Sequence, residues 1–182
     1  MKNLSGIKFA VYSVCILLFA AALTGCGFHL QGNKILAPPL QTMYLETPDP
    51  YGTLAQNLEQ NLKLSNVKLV SNASAAKTIL VIMQDDNVQD LLSVSGTQQT
   101  RQYALKVVVT FAVTDSNGGI IMPATTLTEQ RYLTIQSNQI LGTSNESNLF
   151  YQQMRRTIAY NIMNRLASHE VTRMINKAIP SH

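Results

Sequence analysis

The sequence predicts an α+β two-layer sandwich, with two helices packed on one face of a mostly antiparallel, four-stranded mixed sheet. Three observations predict it. The elements come in the order strand, helix, several strands, helix, the pattern of helices gathered on one face of a sheet. Residues 103–114 alternate with a period of two, so that Leu105, Val107, Val109, Phe111 and Val113 share one side. Ala104, Lys106, Val108, Thr110, Ala112 and Thr114 share the other. Finally, apolar residues recur every fourth position in two stretches, Leu54, Leu58 and Leu62, then Phe150, Met154, Ile158, Ile162 and Leu166.

The N-terminal segment reads as a leader outside this fold. Lys2 and Lys8 supply a positive start, and residues 9–23 are uncharged and mostly apolar. Leu23-Thr24-Gly25-Cys26 then places a cysteine behind small residues, the pattern of a bacterial lipoprotein signal. On this reading residues 1–25 are removed, and Cys26 becomes the first residue and carries a covalent diacylglycerol and an N-acyl chain. The apolar run falls short of the roughly 20 residues a spanning helix needs, and no second run of that length follows. Gly27 stands where an aspartate would signal inner-membrane retention, so outer-membrane sorting is expected, with the domain facing the periplasm. Cys15 leaves with the leader, so no intramolecular disulfide can form.

Residues 26–41 read as a lipidated, extended tether, since Pro38-Pro39 oppose both helix and central strand. A single domain is expected over 42–179, with a short tail at 180–182. Residues 42–47 read as a strand closed by Pro48-Asp49-Pro50. A helix over 51–64 carries the first leucine stripe, and Ser65-Asn66 ends it before a strand starting at 67–70. Residues 78–83, Thr-Ile-Leu-Val-Ile-Met, are a central strand that becomes polar but keeps some alternation to Val94. Residues 93–100 have the composition of a turn. Asp115-Ser116-Asn117-Gly118-Gly119 is a hairpin turn leading into a return strand over 125–135. In that strand Leu127, Leu133 and Ile135 share a face with Glu129 and Arg131, which leaves the register open. Thr143-Ser144-Asn145-Glu146 matches a capping box at the start of the long helix. Val171, Met174, Ile175, Ala178 and Ile179 form a second stripe pointing elsewhere. The helix therefore either breaks near Ser168-His169-Glu170 or buries its second half against another surface, folding back on its own domain being the simpler course.

Composition narrows the function. Apolar residues make up 46% and charged residues 13% of the chain. Without the leader, 12 basic residues stand against 10 acidic, too small an excess for a nucleic-acid binder. His29, His169 and His182 show no metal-ligand spacing. Asp85-Asp86 with Asp90 lacks the glycine and glutamate of a calcium loop and reads as solvated loop. No nucleophile elbow or glycine-rich phosphate loop occurs. No catalytic residue, metal or cofactor is expected.

Cys26-Gly27-Phe28-His29-Leu30 with Gly32, then Asp49-Pro50 before a leucine helix, then Leu64-Ser65-Asn66-Val67-Lys68-Leu69 give an ordered set of motifs. Gly96 to Tyr103 before a β-rich strand, Arg131 in the return strand and Asn145-Glu146 at the long helix complete it. In these residues the chain resembles the LPS-assembly lipoprotein family, LptE. The resemblance implies a non-enzymatic plug inside the β-barrel translocon LptD, assisting barrel assembly and delivery of lipopolysaccharide to the outer leaflet. A polar but charge-poor surface suits a polar lumen. The family's basic lipopolysaccharide-binding positions correspond here to Leu92-Ser93-Val94-Ser95 and Leu141-Gly142-Thr143-Ser144, which hold no Lys or Arg. Arg101, Lys106 and Arg131, with Thr143, remain as candidate contacts to barrel or glycolipid, the cations through charge-assisted hydrogen bonds to phosphate. The competing expectation is a stand-alone envelope lipoprotein that binds a lipid or small ligand, which requires a sizeable apolar cavity between helices and sheet.

Overall fold

The computed structural model describes residues 36–97, 100–136 and 140–179, with side chains of the last segment described from Asn145 onward. Strand β1 (Thr42–Glu46) leads to helix α1 (Thr53–Leu64), strand β2 (Lys68–Leu69) and the long strands β3 (Thr78–Val94), β4 (Thr100–Asp115) and β5 (Ile120–Gln136). Helices α2 (Ile140–Leu166) and α3 (His169–Ala178) follow. The sheet order is β2-β1-β3-β4-β5. Pairs β1–β2 and β1–β3 are parallel, and β3–β4 and β4–β5 antiparallel. The α+β two-layer architecture is therefore as predicted. The sheet has five strands rather than four, because the two residues of β2 pair beyond β1 as a short edge.

All the helices bury their apolar stripes on one face. Leu54, Leu58 and Leu62 of α1, Met154, Ile158 and Ile162 of α2, and Val171 and Ile175 of α3 join one core. From the sheet it receives Leu80, Leu105, Val107, Val109, Phe111 and Val113, none of them accessible to solvent. The period-two reading of β4 is thus correct residue by residue. The register left open by the sequence is set by pairs such as Leu105↔Arg131, Val107↔Glu129 and Val109↔Leu127.

Three readings differ from expectation for a local reason, and β5 begins at Ile120 rather than at 125. Pro38–Gln41 is not tether but a 3-10 turn, and Leu36, Ala37 and Leu40 are buried in the core. Proline is compatible with the first positions of such a turn because its missing N–H would have had no partner there. The Thr143–Glu146 box does not start α2, which is already helical from Ile140. Once residues 140–143 are helical, their carbonyls serve the donors a box would satisfy. Asp85, Asp86 and Asp90 lie within β3 rather than in a solvated loop. The open question of the last helix is settled too. Ser168 breaks it, its Oγ accepting from Val171 N at 3.3 Å, and α3 folds back on its own domain.

The ends of α1 and β4 show why the intervening motifs have their residues. Val67 N–H donates to Leu62 O at 3.0 Å and Asn66 N–H to Lys63 O at 3.1 Å, a Schellman closure with Asn66 at φ 60°. Buried Val67 packs beside buried Leu62 and completes that motif. At the β4–β5 turn Asp115 Oδ1 accepts from Asn117 N (2.8 Å) and Gly119 N (2.7 Å), while Gly118 takes φ +84°.

Candidate functional site

β1 stops at Glu46, just ahead of Pro48 and Pro50, and pairs with β3 only as far as Val81. Beyond that point β3 has β4 as its sole described neighbour, and β3, β4 and β5 project as a long three-stranded blade. Bulges at Ile82/Gln84 and Leu91/Ser93 interrupt the exposed edge of β3, a device that discourages unwanted pairing. The blade ends where Ser95 N–H donates to Thr100 O (2.8 Å) and Thr100 N–H to Ser95 Oγ (3.1 Å).

The blade's two faces differ. One carries α2 and α3. The other, among the described residues, has no helix packed on it. It presents Asp86, Val88 and Asp90 from β3, Lys106, Val108 and Thr110 from β4, and Thr126, Thr128, Gln130 and Tyr132 from β5. Thr110 and Thr126 hydroxyls hydrogen-bond across the strands at 2.9 Å. Tyr132 is 61% exposed. This face is polar and nearly neutral, because its cation and one of its acids are joined: Lys106 Nζ lies 2.7 Å from Asp90 Oδ2.

The candidate contact residues do not form one cluster. Lys106 lies on the uncovered face, already paired. Arg131, opposite Leu105, lies on the helix-bearing side of edge strand β5, and Arg101, opposite Ile135, has the same side of β4. Both are exposed and form no ion pair among the described residues. Four residues of strand separate their rows, about 13 Å. Thr143 falls within α2, where its side chain is not described, and Cys26 precedes the described residues. Leu92 and Val94 are exposed apolar residues at the tip of β3, 50% and 44% accessible.

The acids read as one loop are parted by strand alternation. Asp85 turns to the helix side and receives Arg155 of α2 in a forked pair, Nε at 2.9 and 3.0 Å from the two carboxylate oxygens and Nη2 at 2.8 Å. Their side chains are 13% and 16% exposed. Asp90 turns to the open face and Lys106. The pair between Asp85 and Arg155 was missed because it joins residues 70 apart in sequence; period-two reading of β3 through Asp85 was the signal for it. Nearby, burial pushes the Tyr151 phenol above its ordinary value against the opposing effect of the Arg155 charge. Its hydroxyl donates to Val88 O at 3.5 Å.

No group of acidic, histidine or cysteine side chains among the described residues could hold a metal ion. Core side chains from the helices and the sheet meet between the two layers. An open cleft of about 440 Å³ lies at the β1–β2 edge, lined by Tyr44, Glu46, Pro50, Glu59, Lys63 and Leu69 among others. No described helix is long and apolar enough to cross a membrane.

Comparison with known proteins assigns this arrangement. The family model for LptE, lipopolysaccharide-assembly, matches residues 40–166, from the turn before β1 to the end of α2. The chain belongs to the LptE family. The LPS-assembly lipoprotein LptE of Photorhabdus laumondii is 25% identical over 162 residues, covering 88% of this chain and 87% of that protein. That of Yersinia enterocolitica is 34% identical over 99 residues, covering 52% and 47%. Among solved structures, the rare lipoprotein B from Shewanella oneidensis superposes with a TM-score of 0.62 at 26% identity, over 72% of this chain and 98% of that one. A lipoprotein B from Nitrosomonas europaea shares the fold, with a TM-score of 0.65 at 20% identity over 86% and 99%. The LptE match spans α1, the blade and α2, so the features described above are family territory, and α3 lies beyond it.

Proposed function

We propose that this LptE-family chain is an outer-membrane lipoprotein that assembles with and plugs the LPS translocon barrel LptD, assisting barrel assembly and LPS delivery to the outer leaflet. The observation that carries the proposal is the family match across the whole blade. The blade's uncovered face supports it physically, because threonines, a glutamine and an internally neutralised Lys106–Asp90 pair suit a polar barrel lumen. Cys26, acylated, anchors the chain in the membrane beside the barrel. On this reading Arg101 and Arg131, exposed and unpaired among the described residues, meet glycolipid phosphates through charge-assisted hydrogen bonds. The chain acts by binding, not by catalysis. The stand-alone lipid carrier is disfavoured by the family match over residues 40–166.

Photoreactive residues at Thr128 on the open face, at Arg101 and at Thr143 test this in intact cells. Thr128 should crosslink to a large barrel protein, and Arg101 to barrel or glycolipid. If no position yields a barrel crosslink, the plug reading is wrong.

A further inference from the structure

Helix α3 carries an exposed stripe, two of its three side chains cationic, that neither the core nor the open face of the blade uses. His169, Arg173 and Lys177 follow one another at spacing four, and all are exposed. At 3.6 residues per turn they share one side of the helix, roughly opposite Val171 and Ile175, which are fully buried. The helix's one acid, Glu170, is held by Arg165 Nη1 at 2.7 Å. Arg173 and Lys177 form no ion pair among the described residues. Two free cations thus sit side by side on a helix whose other face is locked into the core.

The stripe's place in the fold says what it meets. A three-residue link joins the end of β5 to α2, which then runs back along β5 for about 40 Å. β5 itself is about 58 Å long, so α2 ends over its first half, and α3, which follows two residues later and packs on β5, starts there. At the end where β5 begins, β4 finishes with Asp115 opposite Thr78, and Thr78 Oγ1 donates to Pro39 O at 3.4 Å. The N-terminal segment therefore joins the core at the end of the sheet nearer the start of α3. Nine residues separate Cys26 from Leu36, a reach of about 30 Å when extended.

We propose that α3 docks through Arg173 and Lys177 on anionic phospholipid headgroups of the leaflet that holds the Cys26 acyl chains. The location rests on the acylation of Cys26; the choice of occupant rests on charge, since a lipid surface bearing phosphates complements two unpaired cations. Two basic side chains at about 1 kcal/mol each are worth about thirtyfold in partitioning. That is too little to recruit a free protein, but enough to orient one already tethered, for which the second contact is intramolecular. The docked helix would fix which end of the domain faces the bilayer.

The test uses the acylated full chain with Asn176→Cys, an exposed position beside the stripe, labelled with an environment-sensitive dye. It is reconstituted in phosphatidylcholine vesicles with or without phosphatidylglycerol. The dye should report a drier environment on anionic vesicles only. Raised salt should reverse the change, as should Arg173→Gln with Lys177→Gln, whereas Arg173→Lys should retain it. Circular dichroism of each exposed-site variant controls for folding. Equal emission on both vesicles, or a double variant that behaves as the parent, overturns the proposal. So does a change that appears only when a barrel protein is added, whatever the lipid. Co-flotation with neutral vesicles reads the acyl anchor separately: a parent that does not float overturns the anchor reading and the docking with it, whereas one that floats but gives equal emission on both vesicles overturns the docking alone.

Discussion

Asn66 holds the left-handed position that closes α1, at φ 60°. Asn66→Val should lower unfolding free energy by about 1–2 kcal/mol, because a branched Cβ meets the following carbonyl there, while Asn66→Gly should be near neutral. Urea denaturation separates the two. The ion pair between Asp85 and Arg155 is more demanding, since both side chains are largely out of water, at 13% and 16% exposure. Removing one partner strands the other, so Asp85→Ala should cost about 3 kcal/mol, and Asp85→Leu with Arg155→Met should recover most of it. Tyr151 adds a pH dependence. Its phenol is raised above 10.0 by burial, so the fold favours the protonated form. The sign follows: this contribution is full below the ordinary value and lost as pH rises through the folded value. Stability should therefore fall more steeply in alkali for the parent than for Tyr151→Phe. At this scale the sequence was legible where chemistry is local. Ser65-Asn66 as a helix stop and Gly118 at the hairpin needed only neighbouring residues. Alternation along β3 gives the side that Asp85 and Asp90 face, but their partners Arg155 and Lys106 come from other elements, which alternation along one strand does not give.

The break between α2 and α3 is an element-scale device. Ser168 turns the chain so that a second apolar stripe, Val171 and Ile175, reaches the same core as Ile158 and Ile162. Its Oγ caps α3, so Ser168→Ala should cost about 1 kcal/mol, read as a lower thermal midpoint. Valine in place of Ala159, fully buried beside the α2 stripe, is by contrast an overpacking change. The two stripes were legible as phases of a 3.6-residue period, and their mismatch announced the break. The start of α2 was not legible, because a capping motif in sequence does not prevent a helix from beginning a turn earlier. Nor was the inward packing of Leu36, Ala37 and Leu40, since Pro38-Pro39 looks the same in a tether as in a 3-10 turn against a core.

For the whole molecule, the two-layer design leaves one face of a long blade without a helix among the described residues, polar and nearly charge-neutral. The sequence carried the layers through periodicity. Alternation put Lys106 on the face opposite Leu105, but the side of Arg131 needed the β4–β5 register, which the sequence left open. The resulting candidate site is a surface with dispersed contacts, as an assembly partner requires, instead of a pocket. The central claim is that this surface is filled by a barrel. Affinity purification of the full chain from detergent-solubilised outer membrane measures it directly. The account predicts recovery of a large β-barrel protein at near-equal stoichiometry; a monodisperse monomer with no bound partner would contradict it.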